Sequence, residues 1–329
     1  MGNPLTLEQF DTSFVQPKPR EEVLEERIAA LEQNVDLFST RKFDGHGCRA
    51  IATGDRKKPI LLQTRTGNDV TGKFPSVVDE LRALSLPKLT LVPGELFWRD
   101  PVTGLDDLTT FGRFAGSSTA NAVALEKEIG SARCMLFTPL VLEGADMSAV
   151  AYRRRADIVA EWLDKRTSPL ISHMKHLDGS FADLKVRVVK EKWEGLVLYD
   201  ANATTEFAFH GKHDRPPRPD GCWKWKPIFE GDFVVTKFEP GKGKNLGLAG
   251  KIYIAQVDPR TEKLVPCGEV PLHTKEHKMF FAQKAVYPLV VQVEYEIRTP
   301  KGALRISNVM RVRDDKGVDG CILPEKYWK

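Results

Sequence analysis

From about residue 231 to its end the chain reads as short strands with little helix. After the proline-rich stretch DRPPRPDG (Asp214–Gly221), the chain continues as DFVVTKF, KIYIAQV, LVVQVEYEIRT and ALRISNVMRVR, joined by Gly-rich and Lys-rich loops. β-Branched and aromatic residues in such short runs read as strands. About 100 residues of strands with little helix must bury their apolar faces by closing on themselves. That predicts a small all-β barrel over 231–329. Upstream the pattern is mixed. REEVLEERIAALEQN (Arg20–Asn34) sets Val23, Leu24, Ile28 and Leu31 at helical spacing, which predicts one amphipathic helix. CRAIAT and ILLQTR flank the turn GDRKKP, KLTLV and CMLFTPLVL read as further strands, and YRRRADIVAEWLDKR as a helix. The reading is an α+β body over 36–230, preceded by a helical extension over 1–35. No internal repeat is present.

Composition supports two domains. A chain of 329 residues is long for one ordinary core, and 41% hydrophobic with 29% charged residues is a globular balance. No run approaches the roughly 18 apolar residues of a membrane span, and the start lacks a basic-then-apolar signal segment. The expectation is an intracellular protein with no membrane partner. Met1-Gly2-Asn3-Pro4-Leu5-Thr6 fits a myristoylation pattern, but nothing polybasic follows, so it is read as chance. The five cysteines, Cys48, Cys134, Cys222, Cys267 and Cys321, lack Cys-x-x-Cys spacing. That argues against zinc or a disulfide framework and for reduced thiols. Charge is unevenly placed: residues 231–329 hold 17 Lys and Arg against 12 Asp and Glu, while the rest is at −1. The basic end suits nucleic acid only weakly.

The charged residues that could carry chemistry occur in short clusters. STRKFDGHGCRA (Ser39–Ala50) places Lys42 two residues before Asp44-Gly45. Asp-Gly is first a turn signal between strands, which alone would make Lys42 a solvated charge beside a hairpin. TRTGNDVTGKFP holds Arg65 at a strand end, and LVPGELFW and KWEGLVLYD set Glu95 and Glu194 in apolar company. Each buried carboxylate needs a partner, and a salt-bridged structural Glu satisfies that need as well as a catalytic one. CWKWKP spaces Lys224 and Lys226 by two, so a strand would put both ammonium groups on one face, where two like charges want an anion. RVRDDK crowds Arg311, Arg313 and Lys316 around Asp314 and Asp315.

Taken in order, Lys42-x-Asp44-Gly45, Thr64-Arg65-x-Gly67 with Phe74-Pro75, Gly94-Glu95-Leu96, Phe137, Glu194-Gly195-Leu196-Val197, Trp223-Lys224-x-Lys226 and Arg313-x-Asp315-Lys316 resemble the motifs of the covalent nucleotidyltransferases. The nearest likeness is to the small phage-type ATP-dependent DNA ligases, over about residues 36–329. The order and spacing together, rather than any one motif, make the resemblance specific. It implies a nucleotidyltransferase domain of ATP-grasp-like antiparallel sheets followed by an OB-fold. It implies ATP as the nucleotide, Mg²⁺ or Mn²⁺ as the metal and nicked duplex DNA as the partner, with the protein acting as a monomer in a cytoplasm, the host's if phage-encoded.

The resemblance also assigns roles. Lys42 would be the adenylated nucleophile, supported by Asp44 of the same motif. Glu95 would contact the ribose, Phe137 would lie against adenine, and Thr40 would read the adenine amine. Glu194 would hold the divalent metal, and Lys224 with Lys226 would clamp the α-phosphate. Arg65 would hold the 5′-phosphate of the nick. Arg313 and Lys316 would orient pyrophosphate when the barrel domain closes over ATP. The chemistry explains the residue types. An attacking lysine must be neutral, yet at its ordinary pKa near 10.4 only about 4 in 10,000 are so at pH 7. Neighbouring cations, here Arg41, Lys224, Lys226 and the metal, would disfavour a charged Lys42 and then stabilise the transferring phosphoryl oxygens.

Three positions depart from the pattern. Pro93 and Thr138 stand where aspartate is common. The opening motif continues in relatives to an arginine at a position held here by Gly47, with Arg49 two residues later. The expectation is that Arg49 takes over contact with the nick phosphates, its reach helped by a bulge among His46, Gly47 and Cys48; otherwise it is a surface arginine. An RNA ligase or an mRNA-capping guanylyltransferase would share most of these motifs, and 2′-hydroxyl contacts cannot be read from one sequence. A nucleic-acid-binding OB protein with a dead catalytic half is a third alternative.

Overall fold

The structure is a computed structural model that describes residues 24–205, 218, 220–299 and 302–328. The myristoylation-like start and most of the proline-rich stretch lie outside them. The chain divides into two compact units, Met1–Lys226 and Pro227–Lys329.

The first unit holds two sheets. Strands β1 (Leu37–Lys42), β9 (Gly195–Asp200) and β10 (Cys222–Trp225) form an antiparallel sheet in the order β1-β9-β10. The larger sheet runs β3-β2-β4-β5-β8, built from β2 (His46–Ala52), β3 (Ile60–Thr64), β4 (Thr90–Phe97), β5 (Arg133–Leu136) and β8 (Ile171–His173). Short strands β6 (Val141–Leu142) and β7 (Ala145–Asp146) extend it beside β4. Its pairs are antiparallel except β5 with β8, which is parallel.

Helices cover the outer faces. Helix α1 (Leu24–Gln33) buries Leu24 and Ile28 with Leu196, Leu198, Trp223 and Trp225 of the three-stranded sheet. Helix α1, from the segment read as a helical extension, thus contributes to this unit's core. Each such fully buried aliphatic chain contributes roughly 1.5–3 kcal/mol. On the larger sheet, Cys48, Ala50 and Ala52 of β2 pack with Val77, Val78 and Leu81 of α2 (Pro75–Ala83), Phe111 and Phe114 of α3 (Leu108–Gly116), Leu125 of α4 (Thr119–Ile129) and Val159 of α5 (Tyr152–Asp164). Local chemistry fixes the helix ends. Asp107 accepts from the Thr109 and Thr110 amides at the start of α3, and Ser180 with Asp183 forms a capping box on α6 (Phe181–Glu191). The sheets' inner faces meet at Phe38, Phe97, Met135 and Tyr199.

In the second unit, strands β11 (Phe229–Pro240), β12 (Ala249–Asp258), β13 (Lys263–Pro271), β14 (Leu289–Arg298) and β15 (Leu304–Val312) run antiparallel in the order β13-β12-β11-β14-β15. All five send side chains into one core, among them Phe233, Ile254, Val270, Val293 and Val309. Edge strand β13 comes back toward β15: a Cβ on Gly268 would lie 3.3 Å from Ala303, just before β15. This is an OB-fold barrel. The all-β expectation needs one correction, a helix α7 (Lys275–Gln283) whose Phe281 plugs the barrel core. Strand β13 was also not singled out in the sequence, because LVPCGEV is interrupted by proline and glycine. All five cysteines are free and buried, as expected for reduced thiols. No helix among the described residues is long and apolar enough to cross a membrane.

Candidate active site

The first unit contains a cleft of about 860 Å³ between its two sheets, lined by Thr40, Lys42, Arg65, Glu95, Phe137 and Lys224 among others. Lys42 ends β1. Asp44-Gly45 then carries the chain from one sheet to the other: β1 pairs only with β9, while β2 pairs with β3 and β4. The hairpin reading of Asp-Gly is thus corrected. Glycine is demanded for a different reason, since a Cβ on Gly45 would stand 2.1 Å from the Leu96 carbonyl oxygen. Only a bare backbone can slip past β4 at this distance.

Glu194 comes from far along the chain. Helix α6 ends on Lys192 in the left-handed conformation, φ 56°, which turns Trp193 and Glu194 into the entry of β9. Gly195 follows because a Cβ there would meet the Trp225 carbonyl at 2.1 Å. The register Lys42↔Gly195 then sets Glu194 beside the lysine. One carboxylate oxygen accepts from Lys42 Nζ, and the other lies 3.0 Å from Lys226 Nζ. The Glu194 side chain is 9% exposed. Lys226 sits just past β10, and Lys224 lines the cleft from within that strand, opposite Val197. The structure therefore brings Lys42, Glu194 and Lys226 to one point. It also shows that a carboxylate, and not only cations, faces the lysine.

Arg41 alternates with Lys42 along β1; it too lines the cleft, and its Nη2 donates to Asp106 at 2.7 Å. Asp106 also accepts from Arg99 at 3.0 and 3.1 Å. The Arg41 guanidinium lies between the rings of Phe43 and Trp193, 4.9 and 5.2 Å from their centroids. Arg187 covers Trp193, and Arg99 lies against both Phe43 and Phe97. Cation–π contacts of this kind stabilise by about 0.5–2 kcal/mol each. The stack interleaves Arg41 and Phe43, which flank Lys42, with Trp193, which precedes Glu194, so it fixes both backbones. Sequence reading missed it. The visible signal was Arg41 and Phe43 on either side of Lys42 and Trp193 just before Glu194.

Glu95 stands on β4 opposite Gly47 and Met135. Burial first, then the Glu194 and Asp44 carboxylates, push its carboxyl up to about 8, against the opposing pull of Lys42 and Arg65. At neutral pH it is a hydrogen-bond donor, suited to a hydroxyl oxygen. Phe137 is half-buried at the cleft wall, its amide donating to the Pro93 carbonyl at 2.8 Å. Thr40 is 4% exposed, and its hydroxyl donates to the Val197 carbonyl at 3.3 Å. Further in, Tyr152, Tyr199 and Cys222 line the cleft. Burial raises all three, Cys222 to about 12, against the pull of the Arg155 guanidinium, so none of the three is ionised at neutral pH.

Arg65 is exposed on the turn after β3, its amide donating to the Gly47 carbonyl at 3.0 Å. Arg49 is corrected: it is 1% exposed, neither on the surface nor placed to touch a phosphate on it. No bulge interrupts the register of β2 with β3 or β4. Arg313 and Lys316 belong to the second unit, where Arg313 Nη1 and Lys316 Nζ lie 3.0 and 2.7 Å from the two oxygens of Asp232. Asp232 was another residue sequence reading passed over.

A family model described as ATP dependent DNA ligase domain matches residues 21–213. The chain belongs to the ATP-dependent DNA ligase domain family. It is 25% identical over 282 residues to a probable DNA ligase of Kineococcus radiotolerans, covering 78% of this chain and 52% of that protein. The chain spans about half the length of the curated relatives it matches. Among solved structures it resembles one of a Lig E DNA ligase, described as binding DNA with a minimal scaffold, at a TM-score of 0.61 and 18% identity over 91% of this chain and 100% of that one. It also resembles the ligase domain of LigD from M. tuberculosis, at a TM-score of 0.51 and 20% identity over 96% and 99%. These likenesses establish the fold, a ligase nucleotidyltransferase domain with an OB-fold.

Proposed function

We propose that the protein seals nicks in duplex DNA in three transfers. Lys42 Nζ attacks the α-phosphorus of ATP, forming a P–N bond as the α–β P–O bond breaks and pyrophosphate leaves, the amine proton passing to solvent. An oxygen of the nick's 5′-phosphate then attacks the adenylyl phosphorus, breaking the P–N bond and leaving an activated DNA-adenylate. The 3′-hydroxyl finally attacks the 5′-phosphorus and AMP departs. The observation that carries this reading is the convergence of Lys42, Glu194 and Lys226 in a nucleotide-sized cleft from segments about 150 and 180 residues apart along the chain.

In the resting arrangement Glu194 pairs with Lys42, so the carboxylate must be drawn off before the amine attacks. Lys226 and Lys224 then face the phosphoryl oxygens on which charge develops. Neutral Glu95 offers its proton to a ribose hydroxyl, and Phe137 and Thr40 supply a ring face and a hydroxyl for the base.

Among the described residues no group of three or more His, Cys, Asp or Glu forms a metal cage. A single carboxylate suits Mg²⁺ or Mn²⁺, which take one or two carboxylates and complete their shell with phosphate oxygens and water. Glu194 is the residue that would hold the ion, and the ion would supply charge neutralisation at the triphosphate. Arg65, exposed on its turn, is the group for the 5′-phosphate.

The test is incubation with α-labelled ATP and Mg²⁺, followed by a nicked duplex. A protein adduct that moves to the 5′ end of the nick and then vanishes as the strands join is the expected result. An adduct formed from GTP but not ATP would favour capping instead. No adduct with either nucleotide would leave a binding protein.

A further inference from the structure

Gly47 stands at the position where the motif resemblance leads one to expect an arginine. Arg49 lies one pleat farther along β2, on the same face, with Gln63 of β3 and Pro93 of β4 as its cross-strand neighbours. It is among the largest fully buried side chains in the protein. Its position is defined from above by the turn Thr64–Gly67. Gly67 has φ +87°, and a Cβ there would lie 3.2 Å from Arg49 Nη2, so the guanidinium sits directly beneath the turn.

The same turn is tied elsewhere. The Arg65 amide donates to the Gly47 carbonyl at 3.0 Å, and the Gly67 amide to the Thr64 carbonyl at 3.0 Å. The exposed arginine thus rests on a short loop with the backbone of Gly47 at one end and the guanidinium of Arg49 under the other. A buried charge is a costly way to fill space, since an apolar side chain of similar volume is often as stable or more so. Holding an arginine there points to a positional task.

Building on the nick-sealing proposal, we infer that Arg49 is a positioning residue: its guanidinium sets the height and orientation of the Thr64–Gly67 turn, and through it the reach of Arg65 toward the 5′-phosphate of the nick. The work of the missing arginine is divided. Gly47 supplies the carbonyl that anchors the turn, and Arg49 supports it from below.

The experiment uses the full chain in five forms: parental, Arg49→Met, Arg49→Lys, Arg65→Ala, and the double variant Arg49→Met with Arg65→Ala. Three quantities are read: the rate of adduct formation with α-labelled ATP, the single-turnover rate at which preformed adduct seals a nick, and the affinity ratio for nicks bearing 5′-phosphate over 5′-hydroxyl. Arg49→Met should leave adduct formation within about twofold, slow sealing about 10- to 100-fold and depress the phosphate preference. It should add nothing once Arg65 is absent, because residues acting as one unit are not additive, and Arg49→Lys should recover part of the loss. If Arg49→Met does not fold, Arg49→Gln, which keeps a polar head beneath the turn without the charge, should give the same selective loss.

Sealing at the parental rate, equal slowing of both reactions, or a loss that multiplies with that of Arg65→Ala would overturn the inference. Absence of an adduct in the parental protein would instead sink the ligase reading. The phosphate-to-hydroxyl ratio would still report whether Arg49 acts through Arg65.

Discussion

Each unit has a carboxylate among its candidate site residues that holds two cations, and the two arrangements differ in what those cations can do. In the first unit, Glu194 lies between Lys42 and Lys226, with side chains 9, 21 and 17% exposed. In the second, Asp232 lies between Arg313 and Lys316, at 17, 17 and 30%. Lysine can give up its proton and become a nucleophile, whereas arginine remains charged at any working pH. Arg313 is further fixed by a bidentate pair with Asp315 at 2.7 and 2.8 Å. That pairing raises the guanidinium still higher and holds the Asp315 carboxyl down at about 2. On the nick-sealing proposal the first cluster must change its partner before Lys42 attacks. In the second, Arg313 keeps its charge and only Lys316 shares the chemistry of the first. A shared electrostatic pattern therefore says little about role until the chemistry of the cations is considered.

The most severe way to break the comparison is Lys42→Ala. No label from α-labelled ATP should remain on the protein, while circular dichroism and the melting temperature stay near parental. Full labelling would place the nucleophile elsewhere and remove the contrast.

Neutralising the two carboxylates sharpens it. Glu194→Gln should slow adduct formation about 100-fold or more, the scale of losing an electrostatic group at a reacting centre. Asp232→Asn should cost about tenfold or less, since the cations it holds keep their charge without it. Rates of label incorporation at saturating ATP compare them directly, and equal losses would mean that Asp232 is as close to the chemistry as Glu194.

Permanent charge in the second unit should matter to one step. Arg313→Ala and Lys316→Ala are expected to slow adduct formation about 10- to 100-fold through lost stabilisation of the departing pyrophosphate. Both variants should seal a nick that already carries AMP at close to the parental rate. If both reactions suffer alike, the second cluster is not confined to the leaving group.

The smallest effect concerns stability against pH. The Glu95 carboxyl is raised to about 8 in the folded protein, chiefly by burial, from an ordinary value of 4.5. Between these values the folded state binds more protons than the unfolded state, so stability falls as pH rises from 4.5 toward 8 and is level beyond. Glu95→Gln removes this dependence. The variant should match the parent near pH 4 and exceed it by on the order of a few kcal/mol at pH 8.5, read from urea midpoints at the two pH values. A parental protein whose midpoint does not decline over that range would mean that Glu95 is ionised in the fold.

Much of this was legible in the sequence because it rests on local chemistry. The run of short strands after residue 230 marked the barrel, and the helical spacing in LEERIAALEQ marked α1. Motif order made the family resemblance specific. The two motif glycines were visible as well, but their reason was not: Gly45 and Gly195 are required by carbonyls of Leu96 and Trp225, on other strands. Helix α7 and the parallel pairing of β5 with β8 also escaped, because neither leaves a strong periodic signal in so short a segment.

By itself, then, the sequence determined many of the strands, which residue types the chemistry has available, and in what order they come. Tertiary structure alone decided which of them face one another. Lys42 meets Glu194 across 152 positions, Arg41 pairs with Asp106, and Arg49 lies under Gly67 instead of in solvent. The physical reason is that local patterning sets a strand's period, while the face a side chain takes and the partner it finds depend on the sheet that strand enters and on the backbone passing above it.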